Sequence, residues 1–132
     1  MLARNAKTVL VVDDDQDLLN LVALVLETDG FKVQTAADGR AGLAAVELGM
    51  PDLILLDMKM PVMNGWEFAS EYHARYNGQA PIVVLTAAED AKRRAKEVGA
   101  VGWIGKPFDL DTLVEVVRQH IRGAQSQLSQ QP

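Results

Sequence analysis

At 132 residues, 48% of them hydrophobic, the chain has the material for one globular domain with one core, and a second output domain is not expected. Thirteen Lys and Arg against eighteen Asp and Glu leave a net charge of −5, which argues against general attraction to nucleic acid or anionic membranes. Cysteine is absent, which excludes disulfides, thiolate metal sites and cysteine nucleophiles together, and no apolar run resembles a membrane span or an export signal, so a cytoplasmic protein-binding molecule is expected.

Val9-Leu10-Val11-Val12 is too short for a helix and reads as a strand buried on both faces, ended by Asp13-Asp14-Asp15. Leu18, Leu21, Val22, Val25 and Leu26 then recur at three- and four-residue spacing, the stripe of an amphipathic helix. After Asp29-Gly30, the alternating Lys32-Val33-Gln34-Thr35 predicts an edge strand. A second apolar run, Leu53-Ile54-Leu55-Leu56, stops at Asp57. Asn64 followed by Glu67 resembles a capping box opening a third helix, with Phe68 and Tyr72 on one face.

The run Ile82-Val83-Val84-Leu85 stops at Thr86, and Lys92, Arg93, Arg94 and Lys96 make the fourth helix basic. Val101 to Ile104 supplies the fifth strand, and Lys106-Pro107 leads to a last helix striped by Leu110, Leu113, Val114, Val117 and Ile121. The domain is expected over residues 1–122, with 123–132, rich in Gln and Ser, as a flexible tail. Strands and helices alternate five times, which implies a doubly wound α/β fold: a five-stranded parallel sheet with helices on both faces, strand order 2-1-3-4-5, flavodoxin-like.

In such sheets ligands bind beyond the carboxyl ends of the strands where the order reverses, here between strands one and three. Asp13, Asp14, Asp15 and Asp57 would meet there. Converging carboxylates repel one another unless a cation neutralises them, and an all-oxygen site suits a hard ion such as Mg²⁺. The plainer reading of Asp13 to Asp15 is a helix N-terminus, and it suits Asp15 or Asp17. Asp57 follows four buried residues and reads either as a turn aspartate before Pro61 or as a carboxylate nucleophile that forms an acyl phosphate. Thr86 could donate to a phosphoryl oxygen or simply end a strand, and the Lys106 ammonium could pair with a phosphoryl group or sit exposed before a helix. Acids, a nucleophile, a hydroxyl and an ammonium at the ends of strands one, three, four and five form one constellation.

These residues resemble the receiver domain of two-component response regulators. Val11-Val12-Asp13-Asp14-Asp15 is similar to the family's acidic motif, Asp57-Met58-Lys59-Met60-Pro61-Val62-Met63-Asn64-Gly65 to its phospho-acceptor loop, Leu85-Thr86-Ala87 to its switch hydroxyl and Lys106-Pro107-Phe108 to its lysine motif. The match runs from about Lys7 to Ile121. The resemblance implies that Asp13, Asp14, Asp57 and the backbone carbonyl of Lys59 hold Mg²⁺, that Asp57 accepts a phosphoryl group from a histidine kinase or phosphotransfer protein, that Thr86 and Lys106 contact it, and that the Lys106–Pro107 peptide is cis. It also implies a signalling switch that catalyses its own phosphorylation and dephosphorylation. Its output would pass to a downstream protein through the fourth helix, fifth strand and fifth helix, without direct nucleic-acid or membrane binding, from a monomer or weak dimer.

One departure from the family pattern is the switch aromatic, usually Tyr or Phe and here Trp103, a larger ring that would move less readily into the space beside Thr86. Lys59 and Ala88 stand where the family tunes phosphate lifetime. His73 and His120 read as surface histidines, the basic fourth helix as a solvated face before a docking surface for an acidic partner, and Met58, Met60 and Met63 as packing. A haloacid-dehalogenase-type phosphohydrolase would want a second carboxylate where Lys59 stands, and a flavin protein a phosphate-cradling first loop in place of three aspartates. A pseudo-receiver that binds partners without phosphorylation is the remaining alternative.

Overall fold

The computed structural model describes residues 5–123. The chain alternates through β1 (Thr8–Val12), α1 (Gln16–Thr28), β2 (Lys32–Ala36), α2 (Gly39–Leu48), β3 (Leu53–Leu56), α3 (Gly65–Tyr76), β4 (Ile82–Ala87), α4 (Ala88–Val98), β5 (Gly102–Lys106) and α5 (Leu110–His120). The strands are all parallel in the order β2-β1-β3-β4-β5, as expected from the sequence.

The apolar runs lack alternation because both faces of the sheet are covered. Leu10, Val12, Ile54, Leu56 and Val84 pack with α2, α3 and α4, whereas Val9, Val11, Leu53, Leu55, Val83, Leu85 and Ile104 pack with α1 and α5. Side chains of period two divide each run between two cores, and each fully buried Val, Leu or Ile contributes about 1.5–3 kcal/mol by leaving water. The polar β2 lies at the edge, where only Ala36 is buried.

Four helices begin on a side chain that accepts a backbone N–H from the first turn: Asp15, Asp38, Asn64 and Asp109. Asn64 and Glu67 form the reciprocal capping box. The fourth helix has no such cap and follows β4 directly, because the strand runs to Ala87 and not only to Thr86.

Several packing expectations are corrected. In α1 the sheet-facing arc is Leu19, Val22 and Leu26, with Leu21 46% exposed, because the stripe is centred one residue away from the periodic run. In α5, Leu113 and Val117 are buried while Leu110, in the first turn, faces outward. The histidines are half-buried packing groups: His73 Nε2 lies 2.9 Å from the Val98 carbonyl oxygen, and the His120 ring lies against Gly102, where a Cβ would come within 2.8 Å of its Nε2. Burial also pushes the His120 imidazole below its ordinary value. Met58 and Met60 are core residues, as expected. Tyr72 stacks on Phe68 and ties α3 to the next strand, its hydroxyl donating to the Ala80 carbonyl at 2.7 Å and accepting the Ala80 N–H at 2.6 Å. Among the described residues, no helix is long and apolar enough to cross a membrane. The expected tail falls outside the described residues apart from Gly123.

Candidate phosphoryl-acceptor site

Register brings the acids together. Val12 pairs with Leu56, so Asp13 and Asp57 occupy adjacent positions just beyond the paired ends of β1 and β3, and the Asp57 N–H donates to the Val12 carbonyl at 2.9 Å. Each of Asp13, Asp14 and Asp57 offers a carboxylate oxygen within 4.8 Å of the others. Asp13 is wholly buried, Asp57 is 6% exposed and Asp14 faces solvent, so the cluster opens to water on one side. Asp15 turns away to cap α1 through the Leu18 N–H, and Asp17 lies in the first turn.

The site's one cation within reach among the described residues is Lys106, at the end of β5. Its ammonium donates to Asp13 Oδ2 at 2.8 Å and lies 3.7 Å from Asp57 Oδ2. Asp13 Oδ1 also accepts the Asp15 N–H at 2.9 Å, so both its oxygens are engaged. Asp57 Oδ1 accepts the Met58 N–H at 2.8 Å, which leaves Oδ2 facing Lys106.

Burial pushes the Asp57 carboxyl from 3.8 up to about 6, and the Asp13 charge adds to that; Lys106 and the Met58 and Lys59 N–H groups hold it down only in part. Asp57 is still ionised at neutral pH, and it lies farther from the Lys106 ammonium than Asp13 does. An acidic, all-oxygen cluster with one ammonium fits a small divalent cation, which would offset that repulsion, and the donor set matches Mg²⁺ rather than a thiophilic metal.

Thr86 is buried near the end of β4, paired in register with Gly105, and Ala87 is paired with Lys106, so the hydroxyl and the ammonium reach the same edge of the sheet. Trp103 is 46% exposed on β5 and lies 6.0 Å from Lys92 Nζ, so it is a surface aromatic rather than a core one. Lys59 is exposed two residues after Asp57. The Lys106–Pro107 peptide is cis, as the resemblance implies.

The geometry also depends on residues that sequence reasoning did not single out. The Gly65 N–H donates to the Met58 carbonyl, and a Cβ on Gly65 would come within 2.6 Å of the Asp57 carbonyl oxygen, so only glycine lets α3 start against Asp57. Val62 has φ +69° at the centre of a three-residue turn closed by the Met63 N–H on the Pro61 carbonyl at 2.7 Å, a conformation that costs a β-branched residue about 1–3 kcal/mol. No local signal reveals the Val62 turn, whereas Asn64-Gly65 is a recognisable turn pair. Beside the site, an open groove of about 610 Å³ runs between α1 and α5, lined by Leu18, Leu21, Lys106, Phe108 and Leu110.

The sequence profile of the response regulator receiver domain matches residues 9–118. The chain is 40% identical over 116 residues to the DNA-binding response regulator MtrA of Mycobacterium tuberculosis, an alignment covering 86% of this chain and 50% of that protein. It therefore spans about half the length of the curated relatives it matches. Among solved structures, the chemotaxis response regulator CheY4 of Vibrio cholerae superimposes with a TM-score of 0.81 at 36% identity, covering 89% of this chain and all of that one. The response regulator TrrA of Thermotoga maritima, solved in complex with Mg²⁺ and BeF, gives 0.77 at 30% identity, over 87% and 99% of the two chains. With its five-stranded 2-1-3-4-5 sheet and an aspartate cluster at the expected strand ends, the chain belongs to the receiver-domain family of two-component response regulators.

Proposed function

We propose that this chain is a phosphorylation-controlled switch in which Asp57 accepts a phosphoryl group from a histidine kinase or phosphotransfer protein in a Mg²⁺-dependent reaction. The observation that carries the reading is the partly buried Asp57 carboxylate, crowded by Asp13 and facing Lys106. Asp57 Oδ2 attacks the phosphorus, the bond from phosphorus to the donor imidazole nitrogen breaks with its electron pair going to that nitrogen, and an acyl phosphate forms on Asp57. Asp13, Asp14, Asp57 and the Lys59 backbone carbonyl would hold Mg²⁺, which when bound supplies charge neutralisation for the incoming phosphoryl oxygens.

Lys106 then exchanges its contact with Asp57 for a phosphoryl oxygen while keeping Asp13. Thr86 donates its hydroxyl to the same group, and its movement alters the environment of Trp103, so that α4, β5 and α5 present a changed face to a downstream protein. The complex of TrrA with Mg²⁺ and BeF supports this reading by similarity. The groove between α1 and α5 shares Lys106 with the site and leaves a route for a donor protein. The activity is modification of the chain itself, with water as the acceptor when the acyl phosphate hydrolyses.

The test is incubation with acetyl phosphate and Mg²⁺ followed by prompt intact-mass measurement. Gain of one phosphoryl group by wild type, absent from Asp57→Asn and from a metal-free sample, is the expected result. A mass gain that survives Asp57→Asn would move the acceptor elsewhere and sink the assignment.

A further inference from the structure

The metal site draws on parts of the chain that strand register alone does not hold together. Pairing of β1 with β3 sets Asp13 beside Asp57, but residues 58–64 run beyond the paired strands, and Lys59 lies among them. Met58 and Met60 anchor this loop by burial, which is non-directional. The Gly65 N–H on the Met58 carbonyl and the Met63 N–H on the Pro61 carbonyl close the loop on itself and on the start of α3, so they move with it.

One main-chain bond ties the loop to the opposite side of the site. The Gly39 N–H, at the first residue of α2, donates to the Met63 carbonyl at 3.0 Å, and among the described residues no other main-chain pair joins residues 58–63 to an element besides α3. Three residues earlier, the Ala36 carbonyl accepts the Asp13 N–H at 3.0 Å. Residues 36–39 therefore reach from the backbone of one acid of the cluster to the far end of the loop that carries Lys59. This junction is well fixed: Ala36 and Gly39 are buried, and Asp38 between them caps α2 by accepting the Ala41 N–H at 2.8 Å. A Cβ on Gly39 would meet the Met63 carbonyl oxygen and Cγ, each at 2.7 Å, so any other residue pushes the loop and α2 apart.

We propose that Gly39 is a positioning residue of the metal site: its N–H holds the Met63 carbonyl and so sets where the Lys59 carbonyl stands relative to Asp13. The proposal rests on the receiver reading, in which the Lys59 carbonyl is a Mg²⁺ ligand, and deepens it by naming what holds that ligand in place. Gly39 has no side chain with which to bind the ion, so it acts through the loop. Mg²⁺ demands near-ideal octahedral geometry, whereas Ca²⁺ accepts irregular ligand sets, so a displaced carbonyl costs Mg²⁺ binding more than Ca²⁺ binding. Alanine is a better helix former than glycine, so propensity opposes any loss caused by Gly39→Ala, and the contact with Met63 must produce it.

The experiment measures binding of Mg²⁺ and of Ca²⁺ to the metal-free full chain by titration calorimetry, for wild type and Gly39→Ala, with urea unfolding in the absence of metal as the control for folding. Gly39→Ala is expected to weaken Mg²⁺ binding about tenfold and Ca²⁺ binding less than about threefold. Adding Met63→Ala is expected to leave the loss in place, because the 2.7 Å contact with the Met63 carbonyl oxygen remains. Wild type gives a second readout that needs no variant. If the Gly39–Met63 bond helps to form the site, Mg²⁺ must in turn strengthen that bond. Saturating Mg²⁺ is therefore expected to slow hydrogen exchange of the Gly39 amide at least about fivefold more than that of the Gly42 amide, which donates to the Asp38 carbonyl in the same helix.

Equal weakening of the two ions would mean a general loosening of the cluster and would overturn the proposal, as would unchanged Mg²⁺ affinity in a folded Gly39→Ala protein. Recovery on adding Met63→Ala would assign the effect to crowding of side chains and take the hydrogen bond out of it. Equal slowing of the Gly39 and Gly42 amides would refute the proposal even where Gly39→Ala does not fold. A wild type that binds no Mg²⁺ removes the metal from the receiver reading and this inference with it. A wild type that binds Mg²⁺ and gains a phosphoryl group, with Gly39→Ala indistinguishable from it, leaves that reading standing and removes this inference alone.

Discussion

Replacing Asp57 with Asn in the metal-free protein is expected to make the fold more stable, and only above mildly acidic pH. Asp57 is an acid whose folded-state value is raised, from 3.8 to about 6, so the native state keeps a proton that the unfolded chain has lost between those values. The native state then binds more protons than the unfolded one, and wild-type stability falls as pH rises through this window. A rise from 3.8 to about 6, a roughly hundredfold change in proton affinity, sets an upper limit of ~3 kcal/mol. The exposed Asp14 marks an open side where water screens the cluster, and the substitution also removes the attraction between Asp57 and Lys106. A gain of about 1–2 kcal/mol at about pH 7.5 is therefore expected, shrinking towards zero at about pH 4.

Urea unfolding followed by far-ultraviolet circular dichroism at the two pH values reads the difference directly. Added Mg²⁺ is expected to reverse the order, because a cation held by native carboxylates stabilises wild type by mass action and Asn weakens its site. An equal gain at both pH values would mean that Asn merely packs better. No gain at about pH 7.5 would mean that the Asp57 charge is compensated in a way the geometry does not account for.

Gly65→Ala is expected to cost about 1–3 kcal/mol and slow phosphorylation by acetyl phosphate at least about tenfold, because the added methyl would push α3 off the Asp57 carbonyl; unchanged labelling of a folded variant would refute the close-approach argument. Val62→Gly is expected to raise stability by up to about 1 kcal/mol, since glycine takes the positive φ of this three-residue turn without the Cβ contacts that strain Val; an unaltered urea midpoint would remove strain as an explanation. Lys59→Asn is expected to change the rate at which the acyl phosphate hydrolyses, because Lys59 stands beside the acceptor. A phosphate lifetime equal to that of wild type, measured after removing the donor, would exclude such a role.

Most of the fold was legible because its strands are unusually plain. Three apolar runs without alternation imply burial on both faces, and the capped α3 and the edge strand β2 carry their own local signals. The α2 helix carried a weaker one: Gly39 and Gly42 sit in it for packing reasons, against Met63 and against Phe68 and Val12, so its glycines and alanines blur the stripe. Its cap, Asp38, is visible only once the helix is known. The histidines were misjudged because periodicity on one helix does not report what another element places over it. His73 is covered by the end of α4 and His120 by β5, contacts that are set by tertiary packing alone.

The site was legible residue by residue but not in its mechanics. Asp13, Asp57, Thr86 and Lys106 stand at strand ends, and a parallel sheet carries any strand-end residue to one edge. Sequence could not reveal that Lys106 spends its charge on two acids at once, that it lies nearer to Asp13 than to Asp57, or that a positive-φ valine bends the acceptor loop. Those features depend on register. A one-residue slip of β3 against β1 would move Leu56 to the other core and turn Asp57 away from Asp13. Both cores oppose that slip, since every side chain of the β3 run is fully buried on its proper face. The apolar residues of β1 and β3 thus do for the site what its own charged residues cannot. Left to themselves the carboxylates would move apart, and the burial of the strands behind them holds them in one cluster.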